Sequence, residues 1–358
     1  MRVGIFGGGQ LGMMLGEAAK KLGIACRCFD SSSDAPAKKV CELIVGSYDD
    51  EEAVRDFAEG MNVITYEFEN VPTKAIEAVM KDHKVHPPLK ALQTAQDRLH
   101  EKTLFQKLSI PTPLFADISS KEDLENAVKK IGLPCVLKTR RMGYDGKGQI
   151  VLKSNDEIEK AWGAMNNQAL ILEQFIPFDR ELSILAVRTE GGTVSFYPLI
   201  ENIHRNGILH KSTAPALNTK GPLTDQAQQA AMKIMSELLY VGVLTIEFFE
   251  KDGILIANEM APRVHNSGHW SIEGAVTSQF ENHLRAVTGM ELGSIEITQP
   301  SVMFNIIGSV PDLSSIENNP HIFIHLYGKE SRAGRKLGHV TMVSPSEELI
   351  ARMERILE

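Results

Sequence analysis

The first thirty residues leave this chain few folds to choose from. "RVGIF" is a short apolar run that breaks at three glycines, "LGMMLGEAAKKLG" reads as a helix that ends on glycine, and "IACRCFD" is strand-like again. The alternation continues with a helix near "DEEAVRDFAEG", the strand "NVITYEF" and a helix in "PTKAIEAVMKD". Strands that alternate with helices predict a parallel sheet with helices packed on it.

The pattern then changes. "HPPLKALQTAQDRLHEKTLFQKLSIPTP" predicts one long helix between two proline breaks, the passage into a new domain. A smaller α/β segment follows over 114–172. Longer strands and helices run over about 173–290, with a polar excursion at "NIHRNGILHKSTAPALNTKGP", and a few strands and a terminal helix follow from "SVMFNIIGS". The chain has 358 residues, 43% of them hydrophobic, and no apolar run of membrane-spanning length, so a soluble globular protein of two or three domains is expected. The N-terminus enters a strand directly, without the features of a signal peptide, which points to the cytoplasm. A net charge of −8 with scattered basic residues argues against nucleic acid or membrane as the main partner. Cys26, Cys28, Cys41 and Cys135 lack metal spacing and are expected as reduced, buried or half-buried thiols.

Three stretches carry chemistry. In "VLKTRRMGYDGKGQIVLKS", Lys138 stands at the entrance of a loop holding Gly143, Gly146 and Gly148. Glycines let backbone N–H groups approach an anion and the lysine adds a point charge, which together suit phosphate. Tyr144 and Asp145 are not needed for phosphate, so a second ligand is expected at the same loop. In "GIFGGGQLG", Gly7, Gly9 and Gly12 fit G-x-G-x-x-G, and Asp30 ends the next strand. Only about three strands precede the proline break, so a tight packing turn or a different phosphate ester competes with a dinucleotide there. "GVLTIEFFEKDGILIANEMAPR" reads as a hairpin turning at Asp252-Gly253, with Glu247 and Glu259 on its two arms. Their index sum is even, so they face each other only across an odd-numbered loop or a β-bulge. Either one of them turns away or pairs with Arg263, or the two hold a divalent cation, with Asn258 as a further oxygen ligand. An all-oxygen site completed by substrate suits Mg2+, with Mn2+ an alternative.

Taken in order, Arg98, Lys138, the glycine loop, Glu173 in "ILEQFI", Glu181 and the Glu247/Glu259 pair resemble the ATP-grasp superfamily along the whole chain. "GGGQLG", "YEFENVP", "GYDGKGQ", "NEMAPRVHNSGHW" and "RKLGHV" together resemble the N5-carboxyaminoimidazole ribonucleotide synthetase family. The departures are Met13 where arginine is common and Leu337 where methionine is usual. The resemblance implies an α/β chain, α+β in its later parts. It would comprise an N-terminal parallel-sheet Rossmann-like domain (1–95), an ATP-grasp domain (96–295) with a lid subdomain (about 114–172), and a small C-terminal domain (296–358) completing the substrate site.

The resemblance also implies roles. ATP would convert bicarbonate to carboxyphosphate, and the exocyclic amine of aminoimidazole ribonucleotide would take the carboxyl group. Arg98 and Lys138 would contact ATP phosphates. Gly143 to Gln149 would close over them, with Tyr144, Asp145 and Lys147 at the reacting groups. Glu173, Gln174, Phe175 and Ile176 would meet adenine, Glu181 the ribose, and His204, Asn258 and Glu259 the nucleotide. Gln10, Leu11, Glu67 or Glu69, Arg263, His265, Asn266, Ser267, Arg335 and Lys336 would hold the ribonucleotide, and a homodimer is expected. Glu67 and Glu69, two apart, are predicted to share one strand face. Another ATP-grasp ligase, such as a phosphoribosylglycinamide formyltransferase or a biotin carboxylase, is the alternative within the superfamily. A nucleotide-binding oxidoreductase and a non-catalytic ATP-binding protein are the alternatives outside it.

Overall fold

The structure is a computed structural model and describes residues 1–143 and 146–357. The chain opens with β1 (Arg2–Phe6), α1 (Gln10–Leu22), β2 (Ala25–Asp30), β3 (Glu42–Val45), α2 (Glu51–Ala58), β4 (Val63–Tyr66), α3 (Thr73–Val79) and β5 (Lys84–Val85). The strands pair in parallel in the order β3-β2-β1-β4-β5. Five strands stand where the sequence suggested three. β3 buries none of its side chains fully and β5 has two residues, so neither shows the apolar run of a central strand. The strand order reverses between β1 and β4, and the loops leaving their carboxyl ends flank a crevice at that switch point. Gly23 stops α1 in the left-handed conformation, φ 67°. Below the sheet Phe6, Phe29 and Phe57 pack as one aromatic cluster.

The expected long helix is two, α4 (Leu89–Ala95) and α5 (Arg98–Lys107). Asp97 breaks it, because its carboxylate accepts the N–H of Leu99 as an N-cap. Arg140 and Arg141 converge on the same carboxylate, at 2.8 and 3.1 Å.

Next come β6 (Phe115–Ile118), α6 (Lys121–Ile131), β7 (Cys135–Thr139), β8 (Gln149–Leu152), α7 (Ile158–Met165) and β9 (Leu170–Gln174). They form an antiparallel sheet, β6-β9-β7-β8, with a core of its own around Leu124, Leu137 and Leu172. The glycine loop joins β7 to β8, starting from the pair Lys138 and Gln149.

The remainder builds one antiparallel sheet of nine strands. Its elements are β10 (Arg180–Arg188), β11 (Val194–Phe196), β12 (Ile200–Arg205), β13 (Ile208–Ala214), α8 (Pro222–Glu237), β14 (Gly242–Lys251), β15 (Ile254–Ala261), α9 (Ser271–Gly274), α10 (Gln279–Val287), β16 (Ser301–Ile307), β17 (Ile322–Leu326), β18 (Lys336–Val343) and α11 (Glu347–Leu357). The order is β15-β14-β10-β12-β13-β16-β18-β17, with β11 added on β10. The supposed polar excursion is in fact the β12/β13 hairpin. Asn206 and Gly207 turn it with φ of 52° and 77°, as a two-residue type I′ turn requires. Among the described residues no helix is long and apolar enough to cross a membrane, and all four cysteines are free thiols, Cys26 half-buried and the others buried.

Candidate active site

The β14/β15 hairpin settles the parity question. Asp252 and Gly253, φ 50° and 76°, make a two-residue turn. From that turn the register runs Lys251 with Ile254 up to Phe248 with Ala257, and then slips to Glu247 with Glu259. Asn258 is the extra residue of a bulge. Without it Glu247 would face Asn258 and Glu259 would lie on the other side of the sheet, because a one-residue slip flips every side chain.

The two carboxylates open into a cavity of about 510 Å³. Burial, and next the charge of Glu259, push Glu247 up to about 7. Burial also opposes ionisation of Glu259, but Arg98 and Lys138 outweigh it and hold that carboxyl below its usual range. Arg98 bonds Glu259 and the Gly143 carbonyl, both at 3.3 Å. Arg263, one alternative partner for this pair, binds Glu69 instead. Among the described residues no three His, Cys, Asp or Glu side chains are grouped to hold a metal. A cation at the pair would therefore need its remaining oxygens from substrate, water or Asn258, which also lines the cavity. The all-oxygen set and the mutual repulsion of the two carboxylates both fit Mg2+.

Beside the pair lies a basic and aromatic wall. Lys138 bonds Glu173 at 2.9 Å, and Lys102 stands 3.7 Å from the same oxygen. Burial would raise Glu173, yet Lys102 and Lys138 bring it down to about 2, and among the described residues its Oε1 has no hydrogen-bond partner. Glu181 meets His204 at 2.7 Å. His204 is half-buried on β12 rather than loose in a loop; burial disfavours its charge, but Glu181 and Glu247 raise its affinity for a proton. Phe178 stacks on Phe249 with centroids 4.7 Å apart, and both line the cavity.

The opposite wall is the carboxyl edge of the parallel sheet. β4 ends at Tyr66, so Glu67 and Glu69 lie in the turn beyond it rather than on one strand face. Glu67 accepts the N–H groups of Gly9 and Gly12 at 3.0 and 3.1 Å, and Asp30 accepts that of Gly8 at 2.7 Å. A Cβ on Gly9 would come within 2.6 Å of the Glu67 carboxylate, which is why glycine stands there. The amides that a dinucleotide phosphate would use already hold carboxylates, so the glycine turn closes the sheet edge rather than cradling a cofactor. Burial raises Glu67 and Glu69, opposed by those amides and by Arg263 respectively. Lys329 reaches Gln10, and burial lowers its proton affinity, with Arg335 and Lys336 acting the same way.

The cavity wall thus gathers Gln10, Leu11, Glu67, Glu69, Arg98, Lys138, Gly143, Gly146, Gln149, Glu181, His204, Glu247, Asn258, Glu259, Arg263, His265, Asn266 and Lys336. Several expected residues do not line it. Glu173 is buried behind Lys138, and Phe175 is 39% exposed elsewhere. Ser267 is fully buried, its hydroxyl bonded to Ser183 and His265. Lys147, Gly148, Gln174, Ile176 and Arg335 also stand off the wall. Tyr144 and Asp145 lie outside the described residues. Residues that sequence reasoning passed over include Glu101, Phe178, Phe249 and Met260 on the wall, and Lys102 and Lys329 near it. The aromatic pair had a readable signal, since two phenylalanines near strand ends flank the glutamates singled out. Lys329 had none beyond its charge.

Comparison with known proteins agrees with this geometry. Residues 1–96 match the ribonucleotide synthetase preATP-grasp domain, 103–280 the ATP-grasp domain, and 301–353 the phosphoribosylaminoimidazole carboxylase C-terminal domain. The fold is that of an ATP-grasp protein. N5-carboxyaminoimidazole ribonucleotide synthase of Pseudomonas aeruginosa is 46% identical over 96% of this chain and 94% of its own length. The Bacillus subtilis enzyme of the same name is 40% identical, over 97% and 93%. A crystal structure of the Thermus thermophilus synthetase superposes with a TM-score of 0.96 at 49% identity, covering 99% and 98% of the two chains. The Aspergillus clavatus synthase in complex with ADP and 5-aminoimidazole ribonucleotide gives 0.91 at 34% identity, covering 99% of each. The chain belongs to the N5-carboxyaminoimidazole ribonucleotide synthase family.

Proposed function

We propose that this chain carboxylates 5-aminoimidazole ribonucleotide with bicarbonate and ATP, giving N5-carboxyaminoimidazole ribonucleotide, ADP and phosphate in purine biosynthesis. The observation that carries the reading is one cavity reached from two sides. On one side stand Arg98, Lys138 and the Glu247/Glu259 pair, suited to a nucleotide triphosphate. On the other, Gln10, Glu67, Glu69, Arg263 and Lys336 line a sheet edge that is closed to dinucleotides.

Bicarbonate is a poor electrophile, so the γ-phosphoryl group passes to it first, forming carboxyphosphate. Arg98 and Lys138 offset charge on the phosphates as the group moves. Mg2+ held by Glu247 and Glu259 would supply further charge to the phosphate oxygens. The Phe178/Phe249 stack offers an apolar wall for a base, and Glu181 offers acceptors for ribose hydroxyls. The exocyclic amine then attacks the carboxyl carbon, phosphate leaves, and the amine gives up a proton. Asp145 is the acceptor we assign to that proton, with Tyr144 and Lys147 from the same glycine-rich stretch of sequence, whose closure over the phosphates would keep water from carboxyphosphate. Arg263, Lys336 and neighbouring Lys329 and Arg335 suit the ribonucleotide phosphate. A homodimer rests on the resemblance alone.

ADP release tests the reading. Aminoimidazole ribonucleotide with bicarbonate should stimulate it, whereas glycinamide ribonucleotide with formate, or free biotin with bicarbonate, should not. Stimulation by either of the latter pairs would move the chain to another ATP-grasp activity.

A further inference from the structure

The bulge at Asn258 is not explained by its own hairpin, because the two-residue turn favours an unbroken register. Ala257 beside it is tied to the 111–112 segment, its N–H donating to the Pro111 carbonyl at 2.7 Å and its carbonyl accepting from the Thr112 hydroxyl at 2.9 Å; the bonds to Asn258 and Met260, on either side of Glu259, come from α5. Lys102 is 1% exposed, and its ammonium donates to the Asn258 carbonyl and, at 3.4 Å, to that of Ala257. The next side chain back, Glu101, is 2% exposed and accepts the N–H of Met260 at 2.7 Å. These bonds fall on both sides of Glu259. The same ammonium lies 3.7 Å from Glu173, which takes Lys138 at 2.9 Å from the neighbouring sheet. A fully buried lysine costs stability unless bonds compensate it, and an apolar residue would fill this site at less cost. Its bonds go to the backbone around the bulge and to Glu173, so position is what they fix.

We propose that Glu101 and Lys102 are positioning residues: they pin the β15 bulge in the register that keeps Glu259 opposite Glu247, and Lys102 links that register through Glu173 to Lys138. The inference rests on the reading of Glu247 and Glu259 as the cation pair. Lys102 does not line the cavity, so its effect reaches ligands only through the backbone it holds and through Glu173.

The test measures Mn2+ bound in the presence of ADP by electron paramagnetic resonance, and aminoimidazole ribonucleotide affinity by calorimetry, with folding checked by circular dichroism. Lys102→Met should weaken Mn2+ by about tenfold, as loss of an outer support does, and leave the ribonucleotide affinity unchanged. Glu101→Met should do the same, while Glu101→Gln, which keeps an acceptor for the Met260 N–H, should restore Mn2+ binding. A folded Lys102→Met with wild-type Mn2+ affinity, or with equal losses for both ligands, overturns the proposal. Should Lys102→Met fail to fold, equal Mn2+ affinities in Glu101→Met and Glu101→Gln overturn it. Glu259→Gln separates the two readings. If that variant also binds Mn2+ normally, the cation site itself is wrong; if it alone loses Mn2+, only the positioning role falls.

Discussion

Two pairs of glutamates reach the same cavity under opposite conditions. Glu67 and Glu69 each have a donor of their own, two backbone amides for the first and Arg263 for the second. Glu247 and Glu259 face each other across a bulge; Glu247 has His265 at 3.4 Å and Glu259 has Arg98 at 3.3 Å. His265 is little help, because burial, together with Arg263 and Lys336, holds its proton affinity well below the usual histidine range. Counting acidic residues does not find a cation site, then. The distinguishing feature is that two carboxylates face each other directly across the strands, so that the charge of Glu259 adds to burial in pushing Glu247 up to about 7.

The largest expected effect lies at the second pair. Glu259→Gln should remove Mn2+ binding and lower ADP formation by on the order of 10²-fold or more, since a neutral amide is a poor ligand for a hard cation. Unchanged turnover at saturating Mg2+ would erase the contrast between the pairs. Acid should act on the same pair next. A cation must displace the proton that Glu247 keeps below about 7, so Mn2+ affinity should fall as pH drops through that value, approaching about tenfold per unit. A flat profile from pH 8 to 5.5 would mean Glu247 is not a ligand.

At the first pair the readout should switch from cation to ribonucleotide. Arg263→Met leaves Glu69 without its cation and should raise the KM for aminoimidazole ribonucleotide about tenfold, the worth of one charge-assisted bond. Mn2+ affinity should hold; a matching loss would merge the two pairs into one network. Glu67→Gln is the mildest change, because the amide can still accept one of the two glycine N–H groups. A cost of about 1–3 kcal/mol in stability, seen as a lower melting temperature, with Mn2+ binding intact, is expected. Failure of Mn2+ binding there would show that the glycine turn supports the cation site after all.

The sequence made much of this visible because its signals were local. Strand and helix alternation marked the parallel sheet, and Lys138 with three glycines marked the loop. The hairpin turn at Asp252-Gly253 was equally clear. Whether Glu247 meets Glu259 was not, because the bulge at Asn258 is held by Glu101 and Lys102, more than 150 positions away in the chain. The Asn206-Gly207 hairpin was readable as a turn signal but was hidden in a stretch read as a polar excursion, whereas strand pairing half-buries His204 there. The break at Asp97 depends on a side chain capping backbone, a partner that no periodicity reveals. Lys329 and Lys102 differ from the other lysines of the sequence only in where the fold sends them.

The pairing of β13 with β16 bears on how the chain can be cut. Met303, for example, sits across from Ser212, so the C-terminal part of the chain, through β16, hydrogen-bonds directly to the middle of the sheet. A chain ended before Ser301 would strip β13 of that neighbour and leave a bare strand edge, the kind of surface that recruits other chains and aggregates. Shortened versions of this protein would thus lose solubility along with Lys336, and fusions are better attached at either end than inserted between residues 214 and 301.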